Sequence, residues 1–561
     1  MAHTRTALGQ CIFFPILLFF LLILPIAVFS QNFNSQGNPA ELAAALVNRM
    51  SDEDALAQTF MFGWNGTTPS PLIMEWIRER HIGGIKVFGW NVQNLETLAE
   101  TIGAMQRASL SGPYGIPLLT ATDQEGGMVR HIKDKTSDTP GNMAIGASGF
   151  PEDAYKTGYY IGRELAALGI NMNFAPVVDL ATVKDSALLG TRTFGEDPVQ
   201  AGILGMAFMN GLHEAGVIAT AKHYPGHGGT SLDSHGVLPR IDADEKTLWG
   251  RELVPYRMLS KSGLSAVMSG HLAFPRTPAG NESASLSPWF MQTLLREKIG
   301  FRGMVITDDL LMYGALINTG NLALTAREAL MAGNDMILVS TTQALNGELW
   351  TSLLGSMKND AAFRLRVREA AQRVLAVKLA FLRGEKAVPF IPDQNRVRTS
   401  IPDPEGAAFF LDLAARSITT VKKGTLPLNP AKKVLLIGRY SGFFQAGRRA
   451  FPEAMVYSFD SFTFDSFTFN GGEIASSLVD AAGRADTIIC CIESREDMRR
   501  LESLRFLNKT IVVLNVSSIN ITGLIGKEIW VDTAIELYSA CDQSFIAGFS
   551  FLLGRFGGSF P

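Results

Sequence analysis

The chain has 561 residues, of which 47% are hydrophobic and 18% are charged, and its formal net charge at pH 7 is −3. This composition is typical of a folded protein with a large core and two or three domains, and it excludes an intrinsically disordered chain. The small net charge, with no basic run or stripe, argues against a nucleic-acid partner.

The amino-terminal residues, 1–30, form a predicted export segment. A short start with one arginine, MAHTRTALGQ, precedes the almost purely apolar run CIFFPILLFFLLILPIAVFS. Val28 and Ser30 fit the small-residue rule for cleavage before Gln31, which predicts a signal peptide. The run is long for a signal peptide, so an uncleaved membrane anchor is the alternative. Either reading exports the rest of the chain, to the periplasm, the cell envelope or the medium.

Residues 38–385 alternate between short apolar runs and amphipathic stretches. Eight apolar runs, each followed by a helical pattern, predict a (β/α)₈ barrel of the TIM type. They are QTFMFGW (58–64), GIKVFGW (84–90), PLLTATD (117–123), NMNFAPVVD (171–179), GVIATAKH (216–223), LSAVMSGH (264–271), GMVITDD (303–309) and NDMILVS (334–340). A doubly wound sheet also alternates in this way, so the alternation alone does not decide between the two folds.

Polar residues stand at the carboxyl ends of these runs, where a barrel carries its active face. They are Asp123, Asp179, Lys222, His223, His271 and Asp308. Polar residues that merely mark strand ends would explain one or two of these positions. Their number favours the barrel over the doubly wound sheet and predicts a functional site at this face.

A second region follows the barrel. Residues 386–406 are proline-rich and poor in apolar residues, which predicts a linker. Residues 407–561 contain five further apolar runs, KKVLLIG, AMVYSF, DTIICCIE, TIVVLNVSS and EIWVD. They predict a smaller α/β sandwich domain with a mostly parallel sheet. A tandem repeat of DSFTF at 460–469 is expected to lengthen a strand or loop in it.

Three cysteines lie in this second domain. Cys490 and Cys491 are adjacent within a strand-like run, and Cys541 makes the number odd. Adjacent cysteines in an apolar run are typical of small buried residues and not of a disulfide framework or a zinc site.

The segment KHYPGHGGTSLDSH, residues 222–235, holds three of the eight histidines. Its spacing H-x₃-H-x₅-D-x-H matches no standard zinc signature, so we predict neither a metal nor another cofactor. Residues two apart in an extended loop face the same side, so Asp233 can hydrogen-bond His235. Such a bond fixes the tautomer of the imidazole and leaves its other nitrogen free for proton transfer. Asp308 is the best candidate for the group that would attack or stabilise a reacting carbon.

These segments together resemble glycoside hydrolase family 3, over most of residues 40–385. The motifs are DQEGG (123–127), NFAPVVDL (173–180), RTFGEDP (192–198), KHYPGHGGTSLDSHGVLP (222–239), SGHLAFP (269–275) and VITDDLLM (305–312). The D-S-H form of the histidine-rich segment is similar to the β-N-acetylglucosaminidase branch. SITTVKKGTLPL and KVLLIG look like the start of the family's second domain.

The resemblance implies a retaining hydrolase with an amino-sugar glycoside as its substrate. It implies that Asp308 is the nucleophile and that His235, oriented by Asp233, is the acid/base. Family residues that hold the sugar map to Asp123, Arg192, Lys222 and His223. One departure concerns the Arg expected eight residues after Asp123, where this chain has His131 and the Arg is Arg130.

Other functions stay open at this point. A β-glucosidase of the same family would take its acid/base from the second domain, with Glu493 or Glu496 as candidates. A phosphorylase would use phosphate instead of water, and a non-catalytic sugar-binding protein would use the barrel without turnover.

Several residues also fit purely structural roles. Asp179 can brace a loop, and Arg192 can form a surface salt bridge with Glu196 or Asp197. His271 fits a buried core histidine. The strand-end tryptophans, Trp64 and Trp90, can stack on a sugar or pack in the core.

Overall fold

The computed structural model describes residues 1, 32–183, 189–458, 473–517 and 527–555. The predicted export segment lies outside these ranges apart from Met1, and so does the DSFTF repeat. Within them, no helix combines the length and the apolar character that a membrane crossing requires.

Eight parallel strands close into a barrel in which every neighbour in space is also a neighbour in sequence. The strands are β1 (Phe60–Phe62), β2 (Gly84–Val87), β3 (Leu119–Thr122), β4 (Met172–Asn173), β5 (Ile218–Tyr224), β6 (Ala266–Ser269), β7 (Met304–Asp309) and β8 (Met336–Val339). Strand β1 pairs with both β8 and β2, which closes the ring. Each strand begins inside one of the eight predicted runs, so the barrel is confirmed and the doubly wound alternative is excluded.

Helices surround and cover the barrel. In chain order the helices of this domain, including the π-helices Trp76–Arg80 and Trp289–Ile299, are Pro39–Arg49, Asp52–Ala57, Pro71–Glu75, Trp76–Arg80, Leu95–Leu110, Asn142–Ser148, Pro151–Ala167, Pro198–Glu214, Glu245–Gly250, Leu253–Lys261, Trp289–Ile299, Tyr313–Leu316, Leu322–Ala332, Glu348–Asn359 and Ala361–Phe381. Their starts follow local chemistry. The Asn94 side chain accepts the N–H of Thr97, and Asp197 accepts those of Val199 and Gln200.

Alternation along the strands divides the apolar side chains into two cores. One set points inward and fills the barrel with bulky residues, among them Met61, Met172, Met268, Met304 and Met336. Helices Pro39–Arg49 and Ala361–Phe381 pack on this inner core. The alternate set points outward against the surrounding helices. The filled interior leaves polar chemistry to the strand ends.

The second domain contains a six-stranded sheet. Its strands are β9 (Thr419–Lys422), β10 (Val434–Gly438), β11 (Met455–Ser458), β12 (Thr487–Ile492), β13 (Thr510–Asn515) and β14 (Thr533–Glu536), in the order β9-β14-β13-β12-β10-β11. All pairs are parallel except β9 with β14. The helices of this region are Gln394–Ser400, Pro404–Ser417, Ser441–Ala450, Glu473–Gly483, Arg495–Leu501 and Asp542–Leu552. This architecture confirms the predicted, mostly parallel sandwich.

One strand of the second domain differs from the sequence prediction. EIWVD, residues 528–532, is a turn, and the strand starts one residue later, at Thr533. This strand carries the buried Glu536, whose carboxylate accepts a hydrogen bond of 2.7 Å from the Asn515 amide. Because a buried acidic residue interrupts the apolar pattern, hydropathy does not predict this strand.

The segment 386–406 packs on the barrel. It contains helix Gln394–Ser400, and the Asp403 backbone N–H donates to Glu164 at 2.8 Å. Further contacts join the two domains. Arg416 pairs with Asp153 at 2.6 Å, and the Asp542 N–H donates to Asp138 at 3.0 Å. The second domain is therefore held against the loop and helices that follow β3.

The three cysteines are free and buried, as predicted. Burial raises the pKa of each thiol, to about 11 for Cys541. Cys541 also caps helix Asp542–Leu552, because its sulfur accepts the N–H of Ser544.

A buried lysine makes stability depend on pH. Lys378 on helix Ala361–Phe381 is inaccessible to solvent, its Nζ donates to Gln58 at 2.9 Å, and burial lowers its pKa to about 7. Between this value and its ordinary pKa of 10.5, the unfolded chain binds a proton that the folded chain does not, so stability rises with pH. We expect Lys378→Met to have a larger free energy of unfolding than the native chain at pH 7. This difference should be smaller by roughly 1–3 kcal/mol at pH 9.

Denaturant unfolding at the two pH values measures this difference. Lys386→Met, which removes an exposed lysine, serves as the control and should show no such trend. A stability difference that is the same at pH 7 and pH 9 would contradict a depressed pKa at Lys378.

Candidate active site

Buried ion pairs join the carboxyl ends of β2, β3 and β5. Lys222 on β5 contacts Asp123, which follows β3, and its Nζ lies 2.7 Å from Glu125. The Lys86 Nζ on β2 lies 2.7 Å from the other oxygen of Asp123. The Arg192 guanidinium donates two hydrogen bonds, of 2.9 and 2.7 Å, to the Glu125 carboxylate. We call these five residues the ion-pair cluster.

The ion-pair cluster is held ionised by its own members. Burial alone would raise the pKa of Asp123, but the ammonium groups of Lys222 and Lys86 hold it well below the usual value. Burial would likewise raise the pKa of Glu125, and Arg192 and Lys222 lower it. Burial would lower the pKa of Lys222, and the two carboxylates raise it. With two carboxylates and three cations, the cluster presents charged donors and acceptors that suit a polyhydroxy ligand.

Two members of the ion-pair cluster, Lys86 and Glu125, were not predicted from the sequence. A signal for each is visible in retrospect. Lys86 is the one charged residue in the run GIKVFGW, and Glu125 lies in the same DQEGG motif as Asp123. Arg192 does not take the expected surface partner Asp197, which caps a helix instead.

His223 and Asp179 form a second buried pair, between the His223 Nδ1 and the Asp179 Oδ2 at 2.6 Å. Asp179 also accepts the backbone N–H groups of His223 at 3.2 Å and of His227 at 2.7 Å. The carboxylate therefore braces the loop after β5, and it also orients the imidazole so that Nδ1 carries the proton.

Asp308 and Asp309 end β7 and have different surroundings. Burial alone would raise the pKa of Asp308, but His223, His271 and Lys86 lower it below the usual value. The Asp309 carboxylate accepts the N–H groups of Leu311 and Ser340, both at 3.1 Å, and so braces the loop. The Asp308 carboxylate accepts the backbone N–H of Asp309 at 2.8 Å.

His271 has a structural position. It is buried, its Nδ1 lies 2.7 Å from the Ser285 hydroxyl, and its Nε2 lies 3.1 Å from the Asp309 carbonyl oxygen. Burial lowers its pKa. It is a satisfied core histidine, and it supports the segment that follows β7.

Asp233 and His235 form the predicted dyad, with 2.6 Å between the His235 Nδ1 and the Asp233 Oδ1. The same carboxylate oxygen accepts the His235 backbone N–H at 3.0 Å. Partial burial would raise the pKa of Asp233, and these two bonds lower it. Unlike the ion-pair cluster, the dyad is open to solvent, with 72% of the His235 side chain exposed.

The histidine-rich segment thus splits between separate partners. His223 bonds Asp179 and His235 bonds Asp233, while His227 is buried with its ring centroid 5.9 Å from that of His223. Across the described ranges, no group of three His, Cys, Asp or Glu side chains is placed to hold a metal ion.

Arg130 lies away from the ion-pair cluster. Its guanidinium pairs with Asp138 at 3.0 Å and donates to the Ser137 carbonyl oxygen at 3.0 Å. His131 occupies the side that faces the cluster, with its Nδ1 3.9 Å from an oxygen of Asp123. Strand residues one apart face opposite sides, so the one-residue shift turns the arginine outward.

Arg130 lines a cleft of about 740 Å³ between the barrel and the second domain. Its barrel wall includes Met128 and Thr191, and Thr191 precedes Arg192 of the ion-pair cluster in the chain. On the opposite wall, Glu493 is engaged by the Arg439 guanidinium and the Tyr440 hydroxyl.

The other second-domain carboxylate considered for acid/base catalysis is Glu496. It lies on helix Arg495–Leu501 and pairs with Arg499 and Arg500 at 3.5 and 3.6 Å. Both second-domain candidates, Glu493 and Glu496, are thus engaged with arginines. Proton transfer by Glu493 would first require its contacts with Arg439 and Tyr440 to break, whereas the pairs of Glu496 are exposed surface contacts.

The two strand-end tryptophans have opposite environments. Trp64 is fully buried, whereas Trp90 is 54% exposed and stacks on Phe88 with 4.2 Å between ring centroids. The Lys86 Nζ lies 4.2 Å from the centroid of the same Phe88 ring. Trp90 therefore offers an aromatic surface beside the ion-pair cluster, and Trp64 belongs to the core.

The fold and the ion-pair cluster define a two-domain barrel protein with a charged pocket at its carboxyl-terminal face. The sequence profile "Glycosyl hydrolase family 3 N terminal domain" matches residues 54–377, and the chain belongs to glycosyl hydrolase family 3. This membership confirms the resemblance that the motifs carry.

Two proteins described as beta-hexosaminidases match parts of this sequence. Beta-hexosaminidase A of Pseudoalteromonas piscicida is 32% identical over 390 residues, which are 66% of this chain and 64% of the relative. Beta-hexosaminidase of Thiobacillus denitrificans is 37% identical over 284 residues, which are 48% of this chain and 75% of the relative. The chain thus spans less than two thirds of the Pseudoalteromonas protein.

A solved structure resembles almost the whole molecule. It is described as a glycoside hydrolase family 3 beta-N-acetylglucosaminidase from Paenibacillus sp. str. FPU-7, with a TM-score of 0.80 and 26% identity. The match covers 91% of this chain and 97% of that one, so it includes both domains.

The ion-pair cluster generates a stability prediction. Glu125→Gln would leave the buried Arg192 and Lys222 short of one negative charge, and removing one partner of a buried pair typically costs about 3–5 kcal/mol. The free energy of unfolding in denaturant should fall by that order. Glu405→Gln, which removes an exposed partner of Arg163, is the matched control and should cost about 0–1 kcal/mol. Equal losses in the two variants would contradict a tightly coupled cluster.

Proposed function

We propose that this protein is a retaining β-N-acetylhexosaminidase that removes terminal N-acetylglucosamine from glycosides such as cell-wall or chitin-type fragments. The proposal rests on two features of the same end of the barrel. One is the ionised carboxylate of Asp308, and the other is the hydrogen-bonded pair of Asp233 and His235 on a loop. The beta-hexosaminidase relatives support it. The apolar run at 11–30 supports export of the mature chain.

Asp308 is proposed as the nucleophile. Its carboxylate would attack the anomeric carbon and form a glycosyl ester while the bond to the leaving group breaks. Because His223, His271 and Lys86 lower its pKa, Asp308 is charged at neutral pH and ready to attack. The ester is then released by water, which preserves the configuration at the anomeric carbon.

His235 is proposed as the acid/base. Its Nδ1 is bonded to Asp233, so the Nε2 is the atom that would give a proton to the leaving oxygen in the first step. The same nitrogen would take a proton from water in the second step. Asp233 would stabilise the imidazolium form and keep the ring oriented, which is the role of a carboxylate beside a catalytic histidine.

Four residues, Asp123, Arg192, Lys222 and His223, are proposed to bind the sugar. The first three belong to the ion-pair cluster, and Asp179 orients the fourth. Because their charges are already neutralised within the site, the side chains can exchange hydrogen bonds with hydroxyl and acetamido groups. Arg130 faces the cleft and is not assigned to this sugar.

Phosphate stays a second acceptor to test. Once His235 has given its proton to the leaving group its imidazole is neutral, and a neutral imidazole repels an incoming anion less than a carboxylate acid/base would. A β-glucosidase that used Glu493 as its acid/base would first have to release that carboxylate from the Arg439 guanidinium and the Tyr440 hydroxyl.

The decisive assay compares nitrophenyl glycosides. We expect kcat/KM for the N-acetylglucosaminide to exceed that for the glucoside by about 100-fold, because recognition of an acetamido group by buried polar side chains discriminates strongly. The assay is run with and without phosphate, and the product is analysed for a sugar 1-phosphate. Equal kcat/KM values for the two sugars would refute the hexosaminidase proposal.

Trapping tests the nucleophile. A slow fluorinated N-acetylglucosamine analogue should label Asp308, and peptide mass spectrometry identifies the labelled residue. Asp308→Ala should lose nearly all turnover while its unfolding curve remains cooperative. A label on Asp309 or on a carboxylate of the second domain would reassign the nucleophile.

Leaving groups test the acid/base. A poor leaving group needs protonation as its bond breaks, whereas dinitrophenolate hardly does, so His235→Ala should lose about 10²–10⁴-fold on the former and spare glycosylation by the latter. Asp233→Ala should give a milder loss of the same pattern. Lys222→Met should weaken both substrates together, because it binds the shared sugar. Equal losses on both leaving groups for His235→Ala would show that His235 is not the acid/base.

A further inference from the structure

The exposed loop that carries Asp233 and His235 is pinned at one point. Ser234 lies between these two residues and is only 4% exposed, although the His235 side chain is 72% exposed. The Ser234 carbonyl oxygen accepts the backbone N–H of Gly314 at 3.0 Å. Gly314 belongs to helix Tyr313–Leu316, which follows β7 and Asp308. The loop therefore rests on the segment that leads away from the proposed nucleophile.

Gly314 leaves room that no other residue would leave. A Cβ at this position would lie 3.0 Å from the Val237 carbonyl oxygen and 3.1 Å from the Ser234 carbonyl oxygen. Both atoms are backbone, so they can move only if the loop moves. Gly314 has a helical backbone, so the obstacle to a side chain is contact and not conformation.

The opposite side of this contact is fixed. The same Cβ would lie 3.2 Å from the Cβ of His271. His271 is buried and held through both ring nitrogens, by Ser285 at 2.7 Å and by the Asp309 carbonyl oxygen at 3.1 Å. A side chain at position 314 would therefore push against the loop, which is the less restrained partner.

The loop transmits such a push to His235. The Gly236 and Val237 N–H groups both donate to the Asp233 carbonyl oxygen, at 3.2 and 3.3 Å, which ties 233–237 into one turn. Ser234 and Val237 flank His235, so their displacement moves the imidazole. General acid catalysis requires the donor nitrogen within hydrogen-bond reach of the leaving oxygen. A shift of 1 Å can cost about 100-fold in rate, and the contacts of 3.0 and 3.1 Å call for a shift of a few tenths of an ångström, so we expect a loss of several-fold.

We propose that Gly314 is a positioning residue for the reaction, because it seats the Asp233–His235 loop on the segment that follows β7. The contact at Gly314 thereby fixes the position of the acid/base loop relative to the strand that carries the proposed nucleophile. This inference rests on the proposed function, since it assigns Gly314 an effect only through His235.

The test is Gly314→Ala, assayed with a poor and a dinitrophenyl leaving group on the same N-acetylglucosaminide. We expect the rate on the poor leaving group to fall about 3- to 10-fold, and glycosylation by the dinitrophenyl substrate to change less than about 2-fold. Gly355→Ala is the control, because Gly355 lies in helix Glu348–Asn359 and a methyl group there meets no atom within 4 Å. Equal losses on both substrates, or no loss, would refute the inference.

A double-mutant cycle separates positioning from a general structural defect. In the His235→Ala background, Gly314→Ala should change the rate on the poor leaving group by less than about 2-fold, because its route of action is already removed. A further loss as large as in the native background would contradict the inference. If Gly314→Ala does not fold, Ser234→Gly keeps the carbonyl oxygen that accepts the Gly314 N–H but makes the backbone that carries it more flexible. It should give the same leaving-group split, and an unsplit loss there would also refute the inference.

The outcomes distinguish this inference from the proposed function. If His235→Ala shows no dependence on the leaving group, the acid/base assignment itself fails. If His235→Ala shows that dependence and Gly314→Ala does not, the proposed function stands and only the positioning role of Gly314 is refuted.

Discussion

The buried ammonium group of Lys222, held between Asp123 and Glu125, is the interaction on which the site depends. It joins the end of β5 to the two acidic residues that follow β3. Each of these charges alone would be costly to bury, and each is tolerable only because the others are present. The pairing also orients Glu125 toward Arg192, which lies on the loop after β4. Three βα connections are thus tied together at one point.

Around this rigid centre the barrel face has two parts with different physical character. The ion-pair cluster is buried and electrostatically locked, which suits recognition of a sugar ring. The Asp233–His235 dyad is exposed and held by its own turn and by the contact at Gly314, which suits proton exchange with a leaving group and with water. In the proposed mechanism, sugar binding and proton transfer therefore fall on separate elements and should respond to different substitutions.

Much of the fold could be predicted because parallel barrel strands are buried on both faces, so each reads as a continuous apolar run. The polar residue at the end of such a run then marks the active face, as Asp123 and Asp308 do. The same logic missed Lys86, which lies inside a run, and the strand that contains Glu536, because buried charged residues interrupt the pattern that the reading relies on. Their partners, Asp123 and Asn515, come from other strands.

Whether the sequence alone or only the tertiary structure determines a contact depends on how far apart the two residues lie along the chain. Asp233 and His235 are two residues apart, so local backbone geometry brings them together and the sequence by itself determined the dyad. Lys222 and Asp123 are 99 residues apart, and only closure of the barrel decided that they meet. Strand alternation turns the Arg130 side chain outward, but the tertiary structure decided which partner it meets there, because the packing of the following loop and not the strand pattern positions Asp138.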